Sequence, residues 1–180
     1  MRFFGREFIV TPDVLIPRLE TESLVRRARK ILQHSNTPTL QHSIVVDIGC
    51  GSGIIGTSVA DLADEVIFLD ISPAALLIAE RNFRTHFPEK KAQFIVSDLL
   101  SDLPSNIPRF QDSNIHYLTN LPYIKAEDWE NMSPDTRHEP RLALFGGEST
   151  GFELYERLFD QISSLPTLQH SNTLTLIFEF

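Results

Sequence analysis

The chain has 180 residues, is 42% hydrophobic and 22% charged, and carries a formal net charge of −8, which suits one soluble globular domain with a real core. The acidic balance argues against a duplex nucleic-acid partner, which needs a basic face, and no apolar run reaches the ~18 residues of a membrane span. Cys50 is the single cysteine, so no internal disulfide forms; with no signal peptide in MRFFGREF, the expected compartment is the reducing cytoplasm.

In chain order, Pro17 to Leu32 has helical spacing, with Leu24, Val25, Ala28, Ile31 and Leu32 on one face. Its acids Glu20 and Glu22 come early and its basic cluster Arg26, Arg27, Arg29 and Lys30 late, matching the helix dipole. That cluster is expected to be a solvated helix end. Ile44 to Ile48 predicts a buried strand that runs into a glycine turn, and a helix follows from Ile54 to about Ala63. VIFLD predicts a second strand ending at Asp70. Ser72-Pro73 supplies an N-cap and a first-turn proline for a helix through about Phe83. AQFIVSD predicts a third strand ending near Asp98, and IHYLTN a fourth ending at Asn120. Phe152, Tyr155, Leu158, Phe159 and Ile162 mark another helix, and LTLIFEF a fifth strand. The run LQHSNT occurs at Leu32 to Thr37 and again at Leu168 to Thr173, with LQHS at Leu40 to Ser43; these read as polar connectors, not as a structural repeat.

Strands alternating with helices predict an α/β fold, a doubly wound and mainly parallel sheet. The strands are continuous apolar runs, as a sheet covered on both faces requires. Ligands bind such sheets at the carboxyl ends of the strands. Asp47, Asp70, Asp98 and Asn120 all stand at such ends. Six histidines lack ligand spacing, so no metal site is expected.

Asp47-Ile48-Gly49-Cys50-Gly51-Ser52-Gly53 forms the glycine turn, and Gly51 to Gly56 satisfies GxGxxG. That pattern alone also fits a dinucleotide. Asp47 favours a different ligand, because a carboxylate there opposes a pyrophosphate and suits an ammonium group. S-adenosylmethionine carries an ammonium and a sulfonium, and its carboxylate can take backbone N–H groups of the turn. Asp70 can accept both ribose hydroxyls of either cofactor. Asp98 and Leu99 are candidates for an adenine edge contact and a ring contact, although Asp98 also suits a turn. Cys50 is expected to be a small filler in the turn.

Asn120-Leu121-Pro122-Tyr123 follows the fourth strand. Pro122 holds Leu121 extended and so aims its carbonyl. The Asn120 side-chain oxygen and the Leu121 carbonyl are two acceptors matched to a planar –NH2 group, and Tyr123 offers a stacking face. Two acceptors on a delocalised amino nitrogen add electron density as a methyl group arrives, and positioning supplies the rest. Taken alone, Asn and Pro here also suit an ordinary turn.

NLPY resembles the [ND]PPY signature of amino-methyltransferases. FFGREFIVTPDVLIPRLETESLV, VVDIGCGSGIIG, FLDISPAALLIAERN and EPRLALFGGESTGFELYERL resemble the HemK-type release-factor glutamine methyltransferases over almost the whole chain. The resemblance implies a Rossmann-like class I methyltransferase that uses S-adenosylmethionine. Its expected substrate is the glutamine N5 of the Gly-Gly-Gln motif in peptide chain release factors. It places the methionine part of the cofactor on Gly49 to Gly53, the ribose on Asp70, the adenine near Leu99, and the substrate amide on Asn120 to Tyr123. Pro17 and Arg18 would line the mouth. Residues 1–16 would form a lead-in hairpin or linker and 17–180 the catalytic domain. Leu121 departs from the signature's first proline. The family's N-terminal helical domain and last two strands are expected to be missing. Three alternatives remain beside this expectation: methylation of adenine or another base, a cofactor-binding remnant without catalysis, and a nicotinamide-dependent enzyme.

Overall fold

The short apolar runs form one parallel sheet. The computed structural model describes residues 1–35, 42–103, 113–129, 131–132, 136, 139–165 and 173–180. A hairpin of β1 (Arg2–Phe3) and β2 (Arg6–Glu7) leads into helix α1 (Glu20–Ser35). Then come β3 (His42–Ile48), α2 (Ile54–Val59), β4 (Glu65–Asp70), α3 (Pro73–His86), β5 (Ala92–Val96) and β6 (Ser113–Thr119). Two-residue β7 (Ile124–Lys125), the single turn α4 (Ala126–Trp129), β8 (Phe145–Gly147), α5 (Glu153–Ser163) and β9 (Thr173–Phe178) complete the described chain. The main sheet has the order β5-β4-β3-β6-β9, and each neighbouring pair is parallel. The order reverses between β3 and β6, which makes that junction the switch point where ligands bind.

Alternate residues of the strands feed two cores. Val45, Val66, Phe68 and Leu118 pack under α1, α2, α3 and the hairpin's Phe3. Ile44, Val46, Ile67 and Tyr117 pack under α5 through Tyr155, Leu158 and Ile162. Helices thus cover both faces, which explains why β3, β4 and β6 are buried nearly throughout.

Most predicted elements appear where expected, with shifted ends. Helix α1 starts three residues later than Pro17 and continues to Ser35, so Leu32 to Ser35 of the first LQHSNT are helical, not connector. His42 and Ser43 already belong to β3. Residues 168–172 of the second copy lie outside the described residues. Helix α2 stops at Val59 and a turn of 3-10 helix, Ala60–Leu62, completes the segment. Strand β5 ends at Val96, two residues short of Asp98. Ser72 does cap α3, accepting from the Ala75 N–H at 3.3 Å with Pro73 behind it.

The basic cluster of α1 is not simply solvated. Arg29 makes a forked pair with Asp61 at 2.6 and 2.8 Å and donates to the Ser58 carbonyl at 2.8 Å, while Arg26 lies over the Phe4 ring. This pins α1 to the end of α2.

The glycine turn allows α2 to lie against the sheet. A Cβ on Gly56 would meet Phe68 Cε1 at 2.7 Å and Asp47 Oδ2 at 2.9 Å. Gly56→Ala would gain about 1 kcal/mol of helix propensity, but overpacking a rigid core costs about 1–3 kcal/mol. Phe68 and Asp47 are fully buried and cannot yield. Urea unfolding of Gly56→Ala is therefore expected to show a net loss of up to about 2 kcal/mol; a gain would place Gly56 away from the sheet.

Candidate active site

Positive φ angles at Gly49, Gly51 and Gly53, of 63°, 52° and 71°, fold the turn after β3 back on itself. Side chains other than glycine resist this left-handed region. The turn is closed by Gly53 N–H donating to the Cys50 carbonyl at 2.8 Å and fastened to β4 by Cys50 N–H donating to the Leu69 carbonyl at 3.0 Å. Asp70 completes the fastening. One carboxylate oxygen accepts from Gly51 N–H at 2.8 Å and the other from Ser72 N–H at 2.9 Å. A carboxylate has about four lone-pair sites, so acceptor capacity remains. Burial raises the Asp70 pKa, with these backbone N–H groups pulling the other way.

Beside this turn, at the carboxyl ends of β3 to β6, lies a cavity of about 400 Å³. Its walls include Gly49, Cys50, Gly51, Ser52, Asp70, Asp98, Leu99, Asn120, Leu121 and Pro122. Residues 12–15 with Pro17, and Pro140 with Leu142 and Ala143, flank it. These ten wall residues are expected site residues that the fold brings together.

Four other expected residues stand back from it. Gly53 presses on Ala79 behind the turn. Tyr123 is exposed and outside the lining. Arg18 bonds Glu139 at 2.5 Å, and Glu139 also accepts from the Ile16 N–H at 3.0 Å, so this buried acid ties the two flanks together. Asp47 lies fully buried behind the turn, with Oδ2 accepting from Gly56 N–H at 2.8 Å and Oδ1 without a partner among the described residues. Burial pushes its carboxyl up to about 8, against the Gly56 hydrogen bond and with help from nearby Asp70. Asp98 lines the cavity but is engaged by Arg157 at 2.6 Å. Leu99 has φ 56° and is braced by Ser97, whose hydroxyl donates to its carbonyl at 2.8 Å. Burial, with Asp47 and Asp70 nearby, raises the Cys50 pKa well above its ordinary range, which fits a filler and not a nucleophile.

Leu121 is well accommodated. Its side chain is buried, and its Cδ2 occupies the space 2.9 Å from where a Cβ on Gly49 would stand. Its backbone N–H donates to the Tyr155 hydroxyl at 3.0 Å, a bond that a proline in this position could not make. The same hydroxyl lies 3.2 Å from the Leu121 carbonyl and bonds the Glu179 carbonyl. Asn120 donates through Nδ2 to Thr21 Oγ1 at 3.3 Å.

Several supporting residues carry no local sequence signal. Buried Asn82 clips the Ile9 backbone, accepting at 2.7 Å and donating at 2.9 Å, and also donates to the Ser52 carbonyl at 2.9 Å. A lone asparagine on the inner face of α3 was the available hint. Gly146 and Gly151 abut the Pro122 and Tyr123 backbone so closely that a Cβ on either would overlap it. Among the described residues, no three His, Cys, Asp or Glu gather to hold a metal, and no helix is long and apolar enough to cross a membrane.

A parallel sheet with a glycine turn, a strand-end acid and an Asn-Leu-Pro segment around one cavity is a Rossmann-like α/β arrangement of the kind methyltransferases have. The Methyltransferase small domain family matches residues 24–110. By sequence, the chain is a relative of the release factor glutamine methyltransferases. It is 35% identical to that of Bacillus anthracis over 167 residues, covering 91% of this chain and 56% of the relative. It is 35% identical to that of Chlamydia trachomatis serovar L2 over 170 residues, covering 92% and 53%. The chain thus spans about half the length of the curated relatives it matches. Among solved structures, the hMettl16 catalytic domain with the MAT2A 3'UTR hairpin 6 superposes with TM-score 0.64, 13% identity, and 95% and 59% of the two chains covered. The N-terminal domain of human METTL16 with SAH gives 0.57, 14%, 95% and 58%. At such identities the likeness is one of fold.

Two buried groups set opposite pH trends. Asp47 keeps its proton to about pH 8 when folded and to its ordinary 3.8 when unfolded, so its contribution to stability is lost as pH rises across that window. His116 is fully buried with neither ring nitrogen partnered among the described residues, and burial pushes its pKa from 6.5 to about 4. Its unfolded form takes up the proton first, so stability falls as pH drops from 6.5 to about 4. The two oppose each other below pH 6.5, and of the pair only Asp47 acts above it. Chemical unfolding should therefore lose about 2 kcal/mol between pH 6.5 and 8. Asp47→Asn should flatten that decline; an unchanged slope would assign the proton to another group.

Proposed function

We propose that this chain is the catalytic part of a methyltransferase that modifies the side-chain amide nitrogen of a glutamine, the one in the Gly-Gly-Gln motif of peptide chain release factors. The carrying observation is that Asn120 and Leu121 line the same cavity as Asp70 and the glycine turn. Acceptors suited to an amino group and acceptors suited to a ribose thus share one space.

The residues present fit S-adenosylmethionine. Asp70 has acceptor capacity for ribose hydroxyls, and the turn at Gly49 to Ser52 offers backbone N–H groups to a carboxylate. The buried Asp47, with Oδ1 unpartnered, places an acid behind the turn where a cationic ligand gains. Bound there, S-adenosylmethionine supplies an electrophilic methyl group. The chain's own work is positioning. Asn120 Oδ1 and the Leu121 carbonyl accept the two hydrogens of the glutamine amide and orient its nitrogen. Pro122 keeps Leu121 extended. These oxygens stabilise the positive charge that develops on nitrogen, which sheds a proton to solvent after transfer. We place this work in the cytoplasm, where release factors are made and used.

The test is peptide mass spectrometry of a bacterial release factor after incubation with this chain and S-adenosylmethionine. A single added methyl on the Gly-Gly-Gln glutamine is expected. Asn120→Ala should lower the transfer rate by at least about 100-fold, as loss of an oxyanion-type contact does, while calorimetry shows cofactor affinity within about threefold of wild type. Unchanged turnover in that variant would sink the proposed role of Asn120. Methyl label on nucleic acid in place of the release factor would turn the reading to base methylation. Cofactor binding without transfer to either would leave a binding remnant.

A further inference from the structure

Glu179 surrounds Asn120 from three sides. Its backbone N–H donates to the carbonyl of Thr119, directly before Asn120, at 3.2 Å. Its backbone carbonyl receives the Tyr155 hydroxyl, which in turn accepts from the N–H of Leu121, directly after Asn120. Its side chain meets the Asn120 amide directly and again through Thr21. Thr21 Oγ1 donates to Glu179 Oε1 at 3.4 Å and accepts from Asn120 Nδ2 at 3.3 Å. Thr21 is 2% exposed and lines the cavity beside Asn120.

These contacts have a direction. Ionised, Glu179 only accepts, so the single proton of the Thr21 hydroxyl then goes to it. The Thr21 oxygen can then only accept, so Asn120 must present its –NH2 to it and not its carbonyl. The amide oxygen is left on the opposite side, free for the cavity. Without the acid, the hydroxyl could turn and the amide could flip, offering donors where the substrate amino group also offers donors. We propose that Glu179 and Thr21 are positioning residues for the acceptor: the carboxylate fixes the hydroxyl, and the hydroxyl fixes the Asn120 amide with Oδ1 toward the incoming nitrogen. This rests on the reading of Asn120 as the group that receives the substrate amide. Both contacts are long for hydrogen bonds, as is common in catalytic networks before substrate tightens them.

The test combines a binding-independent signal with kinetics on this chain. In 15N-labelled protein, the side-chain –NH2 resonances of Asn120 are expected to shift in Thr21→Val and in Glu179→Gln and to stay near wild type in Thr21→Ser. In methyl transfer to the release factor, Thr21→Val should lower kcat roughly tenfold, the scale of one lost hydrogen bond, with cofactor affinity within about twofold. Thr21→Ser should recover most of that loss. The double variant Thr21→Val/Glu179→Gln should lose less than the sum of the two single losses, because both residues hold the same Asn120 amide. Unmoved Asn120 resonances in Thr21→Val, or fully additive rate losses, would overturn the proposal. If the wild-type chain transfers no methyl group, the functional reading fails, while the resonances still decide whether the path exists.

Discussion

The parallel register of β4, β3, β6 and β9 is the constraint on which the site depends. Ile48 pairs with Leu69 on one side and Thr119 on the other, and Thr119 pairs with Phe178. The residues just beyond these, Gly49, Asp70, Asn120 and Glu179, therefore emerge at one level. Thr119 secures the central junction by donating its hydroxyl to the Ile48 carbonyl at 2.8 Å. A slip of one residue in any strand would turn its side chains to the opposite face and remove its contribution to the cavity. Short apolar strands buried on both faces do not permit such a slip.

Given that level, the departures of this chain from the methyltransferase signature become intelligible. A proline before Pro122 would hold the segment by its ring. Leucine holds it by two other means, packing on Gly49 and an N–H bond to Tyr155. The hydroxyl of Tyr155 is buried, and burial raises its pKa, so it remains a neutral donor and acceptor. Gly49 thereby has two jobs. Its positive φ makes the turn, and its missing Cβ admits Leu121.

Local pattern made the frame legible and left the bracing hidden. Period and caps marked the strands and helices, because burying an apolar face dictates spacing. The glycine turn, the strand-end acids with Leu99, and NLPY marked ten wall residues of the cavity. The misses share one cause: their partners are distant in sequence. Arg18 reads as a mouth residue until Glu139 meets it 121 positions later. Asn82 meets Ile9 across 73 positions, and Thr21 meets Glu179 across 158. No spacing rule carries such pairings; they follow only from the sheet order. The hairpin turn at Phe4 and Gly5 was legible as one of two options, since glycine permits both a tight turn and a loose linker.

The same burial that shapes the site also sets its charge preference. Asp47, Asp70 and Glu179 all have raised pKa values, and burial is the leading cause for each. Burial makes each resist ionisation, and no described lysine or arginine bonds any of them to offset it. Arg157, which lines the cavity, is committed to Asp98, and Arg18 to Glu139. Asp70 in the cavity wall and Asp47 behind it thus have no cation bonded to them among the described residues. A nearby positive charge favours the ionised form of such acids, whereas a pyrophosphate disfavours it. In the proposed function this charge preference is what separates S-adenosylmethionine from a dinucleotide, which the glycine turn and a ribose-binding acid would serve equally well.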